Sequence, residues 1–189
     1  MSKDRLSLAF YRRDTLVVAR DLLGRLLCRR LPGGEVLRGR LVEVEAYDGP
    51  TDRASHAYRG LTRRNAPMFE AGGIAYVYLV YGMHHCFNVV TGEAGYPAAV
   101  LIRATEPPDD GLRACGPGRL TKAFDIDRTL DGTTLTGDEL WIEAGDPVPD
   151  DVVRRTPRIG VDYAGEWAHR PYRLLIAGHP EVSGPRAFR

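Results

Sequence analysis

Lysine is nearly absent from this chain. Lys3 and Lys122 are the only two among 26 basic residues, so a Schiff-base mechanism would have to rest on one of them, and neither is among the candidate site residues. Cysteine is scarce as well: Cys28, Cys86 and Cys115 stand far apart with no C-x-x-C spacing. That pattern points away from a zinc ribbon or a disulfide scaffold and toward reduced thiols in a cytoplasmic protein. No apolar run reaches the length of a membrane span. The opening M-S-K-D-R-L-S-L-A-F lacks the apolar core and small-residue cleavage site of a secretory leader. No H-E-x-x-H, EF-hand, zinc-deaminase, Walker, Rossmann or G-x-S-x-G pattern occurs. We therefore expect no membrane partner, no metal and no cofactor.

The 189 residues are 43% hydrophobic and 27% charged. These are ordinary values for a globular chain, and the length suits one domain spanning 1–189 with a sizeable core. A net charge of +1 conceals an uneven distribution. Residues 1–70 hold 14 Lys+Arg against 9 Asp+Glu, residues 71–153 hold 5 against 13, and residues 154–189 hold 7 against 3. Two basic flanks could form one positive face on folding, which phosphate would favour; equally, the blocks need not map onto a face. The dominance of arginine suits bidentate phosphate contacts, and a GC-rich genome would give the same bias.

Apolar residues at helical spacing predict an amphipathic helix over 14–30, capped by Asp14 or Thr15 and ended by the turn Pro32-Gly33-Gly34. Residues 36–47 read as a long strand, and the polar, proline-containing stretch 49–69 as a loop of the kind that carries function. Strand signals return at 74–81, 86–90 and 98–104, separated by turns too short for parallel crossovers, which predicts an antiparallel meander. A short helix over 118–124 and strands at 141–143 and 172–177 complete the reading. The loop 125–136 and the tail after His179 carry few packing signals. The expected architecture is α+β, a single domain with a curved antiparallel sheet flanked by helices.

Chemistry concentrates in V-E-V-E-A-Y-D-G-P-T-D-R-A-S-H, residues 42–56. Pleat alternation puts Leu41, Glu43, Glu45 and Tyr47 on one face, with Val42, Val44 and Ala46 opposite. A carboxylate at the end of such a strand can take a proton from a water attacking an electron-poor carbon. Two solvated glutamates on an exposed strand would read the same way. Tyr76 and Tyr78 share a strand face, where tyrosine is often core with its hydroxyl at the rim. Tyr81, before Gly82-Met83, is placed to protrude, as a wedge that enters a DNA stack must. His56 alone fits an ordinary loop histidine. Arg103 interrupts the apolar run V-L-I-R-A and needs a partner, a phosphate or Glu45. The adjacent His84-His85 point to opposite strand faces and so do not readily hold one ion together.

Across residues 16–180 the chain resembles the alkyladenine (3-methyladenine) DNA glycosylase family. V-E-V-E-A-Y (42–47), R-N-A-P-M-F (64–69), Y-V-Y-L-V-Y-G-M (76–83), L-I-R-A-T-E-P (101–107), G-P-G-R-L-T-K-A-F (116–124) and V-D-Y-A-G-E-W-A (161–168) carry the resemblance, in matching order and spacing. It implies a monomeric enzyme that flips alkylated or deaminated purines out of double-stranded DNA and hydrolyses the N-glycosidic bond. Glu45 would then be the general base and Arg103 would help place the water and the sugar-phosphate. Tyr47, His56 and Tyr78 would sandwich the base, with Tyr76 supporting the pocket. Asn88 would obstruct the guanine amino group, and Tyr81 would fill the gap in the duplex. His84 is a departure, standing where many relatives carry an aromatic residue. Two other classes compete with this reading. One is a catalytically silent nucleic-acid-binding module using the same tyrosines, which gives no reason for Glu45. The other is a metal-dependent hydrolase built on His84 or His85 with nearby carboxylates.

Overall fold

Asp14 caps the first substantial helix by accepting hydrogen bonds from the amides of Leu16 (3.0 Å) and Val17 (3.1 Å). The computed structural model describes residues 4–108 and 112–184; Lys3 and the end of the tail lie outside them. A single-turn helix α1 (Leu8–Tyr11) precedes the capped helix α2 (Thr15–Leu22). The helix expected over 14–30 therefore stops early. Gly24 takes a left-handed φ of 84° and donates its amide to the Leu41 carbonyl, turning the chain. Leu26–Arg30 becomes strand β1, paired antiparallel with β2 (Val36–Tyr47) on one side and with β6 (Leu140–Glu143) on the other. The short apolar run Leu26-Leu27-Cys28 fits either period, and pairing on both edges decides for the strand.

β3 (Ala75–Val80), β4 (His84–Val90) and β5 (Ala99–Thr105) form the expected meander. The path through the sheet runs β3-β4-β5-β2-β1-β6. A second branch leaves β2 through β8 (Arg173–Ile176), which pairs in turn with β7 (Val153–Thr156), a strand not foreseen in the sequence. β2 is the pivot: residues 36–40 pair with β1, and residues 41–47 pair with β5 and in part with β8. Register shifts on either side of Glu43 mark a bulge that bends the strand. The result is the α+β architecture with a curved antiparallel sheet.

One face of the sheet is dry. Val18, Ala19 and Leu22 of α2 pack against Val42, Val44, Ala46 and Ile102, all buried in the main core. Because of the bulge, Leu41 also turns into this core instead of sharing the face of Glu43. Two segments read as poorly packed are in fact anchored. Ile126, Leu130 and Leu135 of the middle loop join the core, and Val182 and Ser183 of the tail are buried. The helix α3 (Pro117–Ala123) contributes Leu120 and lies against β4 and β5. Among the described residues no helix is long and apolar enough to cross a membrane. Cys28, Cys86 and Cys115 are buried free thiols.

Candidate active site

The other face of the sheet is polar, and the strand registers assemble it. Tyr76 pairs with Asn88, Asn88 with Leu101, Leu101 with Glu45, and Glu45 with Arg173, a single lateral row across β3, β4, β5, β2 and β8. Alternation then places Tyr78 and Cys86 beside Tyr76 and Asn88, Arg103 beside Leu101, and Glu43 and Tyr47 beside Glu45. The core-facing neighbours Val77, Phe87, Val100, Ile102 and Val44 fill the opposite side.

Glu45 is completely buried, which excludes the solvated-strand reading for it and for the equally buried Glu43. One carboxylate oxygen of Glu45 accepts from the Tyr47 hydroxyl (3.0 Å) and from Nη1 of Arg103 (3.2 Å). The other accepts from the Ile159 backbone amide at 2.7 Å. Burial first, and the Glu45 charge second, push the Tyr47 phenol well above the ordinary tyrosine value, so it stays an O–H donor. Arg103 reaches back with Nε to Glu43 (3.0 Å) and with Nη2 to the Ser183 hydroxyl (3.2 Å). Glu43 accepts further from Nε of Arg173 (2.6 Å) and from the Ser183 amide (2.6 Å) and hydroxyl (2.9 Å).

In front of this network lies a cavity of about 490 Å³ whose walls include Tyr47, His56, Tyr78, Asn88, Arg103 and Ile159. The three residues that bind Glu45 thus also line the cavity. The His56 and Tyr78 rings meet edge-on at 4.5 Å between centroids, and Tyr76 and Tyr78 lie 5.1 Å apart. Nδ1 of His56 shares a hydrogen bond of 3.0 Å with the Tyr76 hydroxyl. Although His56 reaches solvent at the mouth, its ring is flanked by these tyrosines. That shielding, with the Arg64 charge second, lowers its pKa below 6.5 and favours the neutral imidazole at pH 7. The Asn88 side-chain amide donates to the Tyr76 carbonyl at 3.0 Å, which fixes its orientation. The Arg64 guanidinium lies 5.1 Å over the Tyr78 ring.

Tyr81 stands apart, at the tip of the three-residue connection between β3 and β4. It is 90% exposed and sits on the cavity rim. The sequence-predicted residues Glu45, Tyr47, His56, Tyr76, Tyr78, Asn88 and Arg103 therefore converge, with Tyr81 at the mouth.

Several participants escaped sequence reasoning. Arg158 is buried in an ion pair with both oxygens of Asp52, donates to the Ala46 carbonyl at 2.8 Å, and covers the Tyr47 ring at 4.7 Å. Nothing in R-T-P-R-I-G marks it. Arg173 does carry a signal, since an arginine inside Y-R-L-L-I is as anomalous as Arg103 inside V-L-I-R-A. The Ile159 amide is backbone and leaves no trace in the side-chain pattern. Both Arg158 and Arg173 belong to the basic block 154–189 and are buried, so charge blocks overstate what is free for phosphate. By contrast Arg53, Arg59 and Arg64 are exposed along the cavities around His56. Among the described residues no three His, Cys, Asp or Glu side chains gather as a metal site.

Comparison with known proteins decides the class. Residues 9–180 match the family model described as Methylpurine-DNA glycosylase. The chain belongs to this family. A Myxococcus xanthus protein named "Putative 3-methyladenine DNA glycosylase" is 52% identical over 181 residues, covering 94% of this chain and 93% of that protein. Proteins of the same name from Herpetosiphon aurantiacus and Legionella pneumophila are each 46% identical; the matches cover 96% and 92% of this chain and 89% and 95% of theirs. As a member of the methylpurine-DNA glycosylase family, the chain is a hydrolase of N-glycosyl bonds that acts on DNA.

Proposed function

We propose that this enzyme extrudes an alkylated or deaminated purine from duplex DNA into the cavity beside Glu45 and hydrolyses its N-glycosidic bond as a monomer, leaving an abasic site. The observation that carries the reading is the buried, thrice-bonded Glu45, whose partners line the same cavity as the flat side chains of His56 and Tyr78. A carboxylate offers about four acceptor sites, and three are taken by Tyr47, Arg103 and Ile159. One is left for a water. Glu45 orients that water, accepts its proton as it attacks C1′, and opposes the positive charge developing on the sugar.

A purine alkylated at N3 or N7 is already cationic, so its glycosidic bond breaks with little acid assistance. Tyr47, His56 and Tyr78 sandwich such a ring, and the tyrosine faces attract it by about 0.5–2 kcal/mol per contact. A neutral His56 adds no opposing charge. Tyr76 holds His56 through its hydroxyl, while Asn88 stands where the amino group of guanine would need to pass. Arg103 keeps spare N–H donors for the water or the sugar-phosphate, since only three of the five on a guanidinium are engaged. Tyr81 fills the space left in the duplex, and extrusion costs least at a damaged pair. No step draws on a cofactor.

The test is release of free 3-methyladenine from methylated duplex DNA in excess EDTA, followed by chromatography. We expect release by the wild type. Glu45→Gln should bind lesion duplex normally while release falls by a factor on the order of 10²–10⁴. Wild-type release by Glu45→Gln would rule Glu45 out as the base. Release only after adding a divalent metal would favour metal-dependent hydrolysis instead.

A further inference from the structure

Behind Glu45 lies a second completely buried carboxylate that the reaction described above does not use. Glu43 accepts hydrogen bonds from Arg103, Arg173 and both the amide and the hydroxyl of Ser183. Two carboxylates and two guanidiniums thus form one buried, charge-balanced cluster, Glu43 and Glu45 against Arg103 and Arg173. Such clusters are seldom more stable than apolar side chains filling the same volume, so stability by itself gives little reason for this one.

The geometry of Arg103 supplies a reason. Guanidinium and carboxylate pair most strongly through two parallel hydrogen bonds, yet Arg103 gives Glu45 only one, from Nη1. Its Nε–Nη2 edge is taken instead by Glu43 at 3.0 Å and by the Ser183 hydroxyl at 3.2 Å. Ser183 is itself tied to Glu43, and Arg173 tethers the Ser183 carbonyl at 2.6 Å.

We infer that Glu43, braced by Arg173 and Ser183, is a positioning residue that keeps Arg103 from closing bidentately on Glu45. Without the Glu43 charge, the freed edge of Arg103 swings toward the remaining carboxylate. It then occupies the Glu45 acceptor site that the attacking water needs. Turnover falls, while the DNA contacts made by the stacking side chains Tyr47, Tyr78 and Tyr81 are untouched. The inference rests on Glu45 being the base.

Three variants test it: Glu43→Gln, Glu43→Asp, and Glu43→Gln combined with Arg173→Gln, which removes one charge of each sign and keeps the cluster neutral. For each, we would measure single-turnover release from methylated duplex DNA, Kd for a duplex carrying an abasic site, and the thermal midpoint. We expect Glu43→Gln and the double variant to lose release by roughly a hundredfold, as small misplacements at a reacting centre do, with abasic-site affinity changed far less than release. Glu43→Asp keeps the charge and should release faster than Glu43→Gln. A purely structural role gives the reverse order, because Gln preserves the side-chain shape and Asp shortens it. The inference is overturned by that reverse order, or by wild-type release from the double variant. It is also overturned if abasic-site affinity falls in step with release, through unfolding or otherwise. Glu45→Gln run in parallel separates the two failures: if it releases base normally, the base assignment fails and not merely the role of Glu43.

Discussion

Tyr81 pays a conformational cost to stand where it does. Its φ of 51° lies in the left-handed region, as does that of Gly82 at 69°, and a residue with a Cβ loses roughly 1–2 kcal/mol there. In return the ring gains little from the fold, being 90% exposed. Strain held at an exposed aromatic tip beside a cavity fits a side chain kept for contact with another molecule. Tyr81→Gly should therefore separate stability from binding. We expect a thermal midpoint equal to or above that of the wild type, and weaker affinity for lesion duplex in a fluorescence anisotropy titration. A lowered midpoint with normal affinity would mean that the tip serves the hairpin and not DNA.

At the scale of elements, β2 is the one on which the site depends. It changes partners along its length, and the bulge around Glu43 turns both Leu41 and Val42 into the core while keeping Glu43 and Glu45 on the cavity side. The change of partner requires close approach at Gly39. A Cβ there would meet the Glu106 carbonyl oxygen at 2.5 Å and the Phe124 ring at 2.8 Å. The first is backbone, held by the hydrogen bond from the Glu106 amide to the Arg40 carbonyl, and cannot swing aside. Gly39→Ala should therefore destabilise by about 1–3 kcal/mol, the usual range for overpacking. Urea titration should show a lower midpoint with an unchanged m-value. An unaltered midpoint would mean that the strand crossing has slack.

Across the whole molecule, the cavity depends on two chain segments far apart in sequence being pinned to each other. Asp52 and Arg158 do this, with side chains completely buried. Asp52 also accepts from the amides of Asp48 and Ala54, and Arg158 donates to the carbonyl of Trp167 at 3.2 Å. One segment carries His56 and the other carries the Ile159 amide on Glu45. Removing one partner of a buried pair leaves an uncompensated charge, so Asp52→Ala should cost about 3–5 kcal/mol. For a chain of this size that is roughly 6–20 °C in Tm. A change within scan error would show that the walls are held by other contacts.

What the sequence by itself determined is local and periodic. Alternation over β2 and the short turns of the β3–β4–β5 meander are carried by neighbouring residues, so the main strands could be read directly, and so could the shared face of Glu43, Glu45 and Tyr47, though not the turn of Leu41 into the core. The anomaly of a charge in an apolar run pointed to Arg103 in the same way. Only the tertiary structure decided the rest. Leu26–Arg30 is a strand because two other strands pair with it, and the bulge at Glu43 exists because β2 must serve two partners. The far half of the site, Arg158, the Ile159 amide, Arg173 and Ser183, is delivered by β7, β8 and the segments around them, more than a hundred residues from Glu45 in the chain. Burial of a carboxylate depends on what closes over it, and no local pattern around Glu45 contains that information.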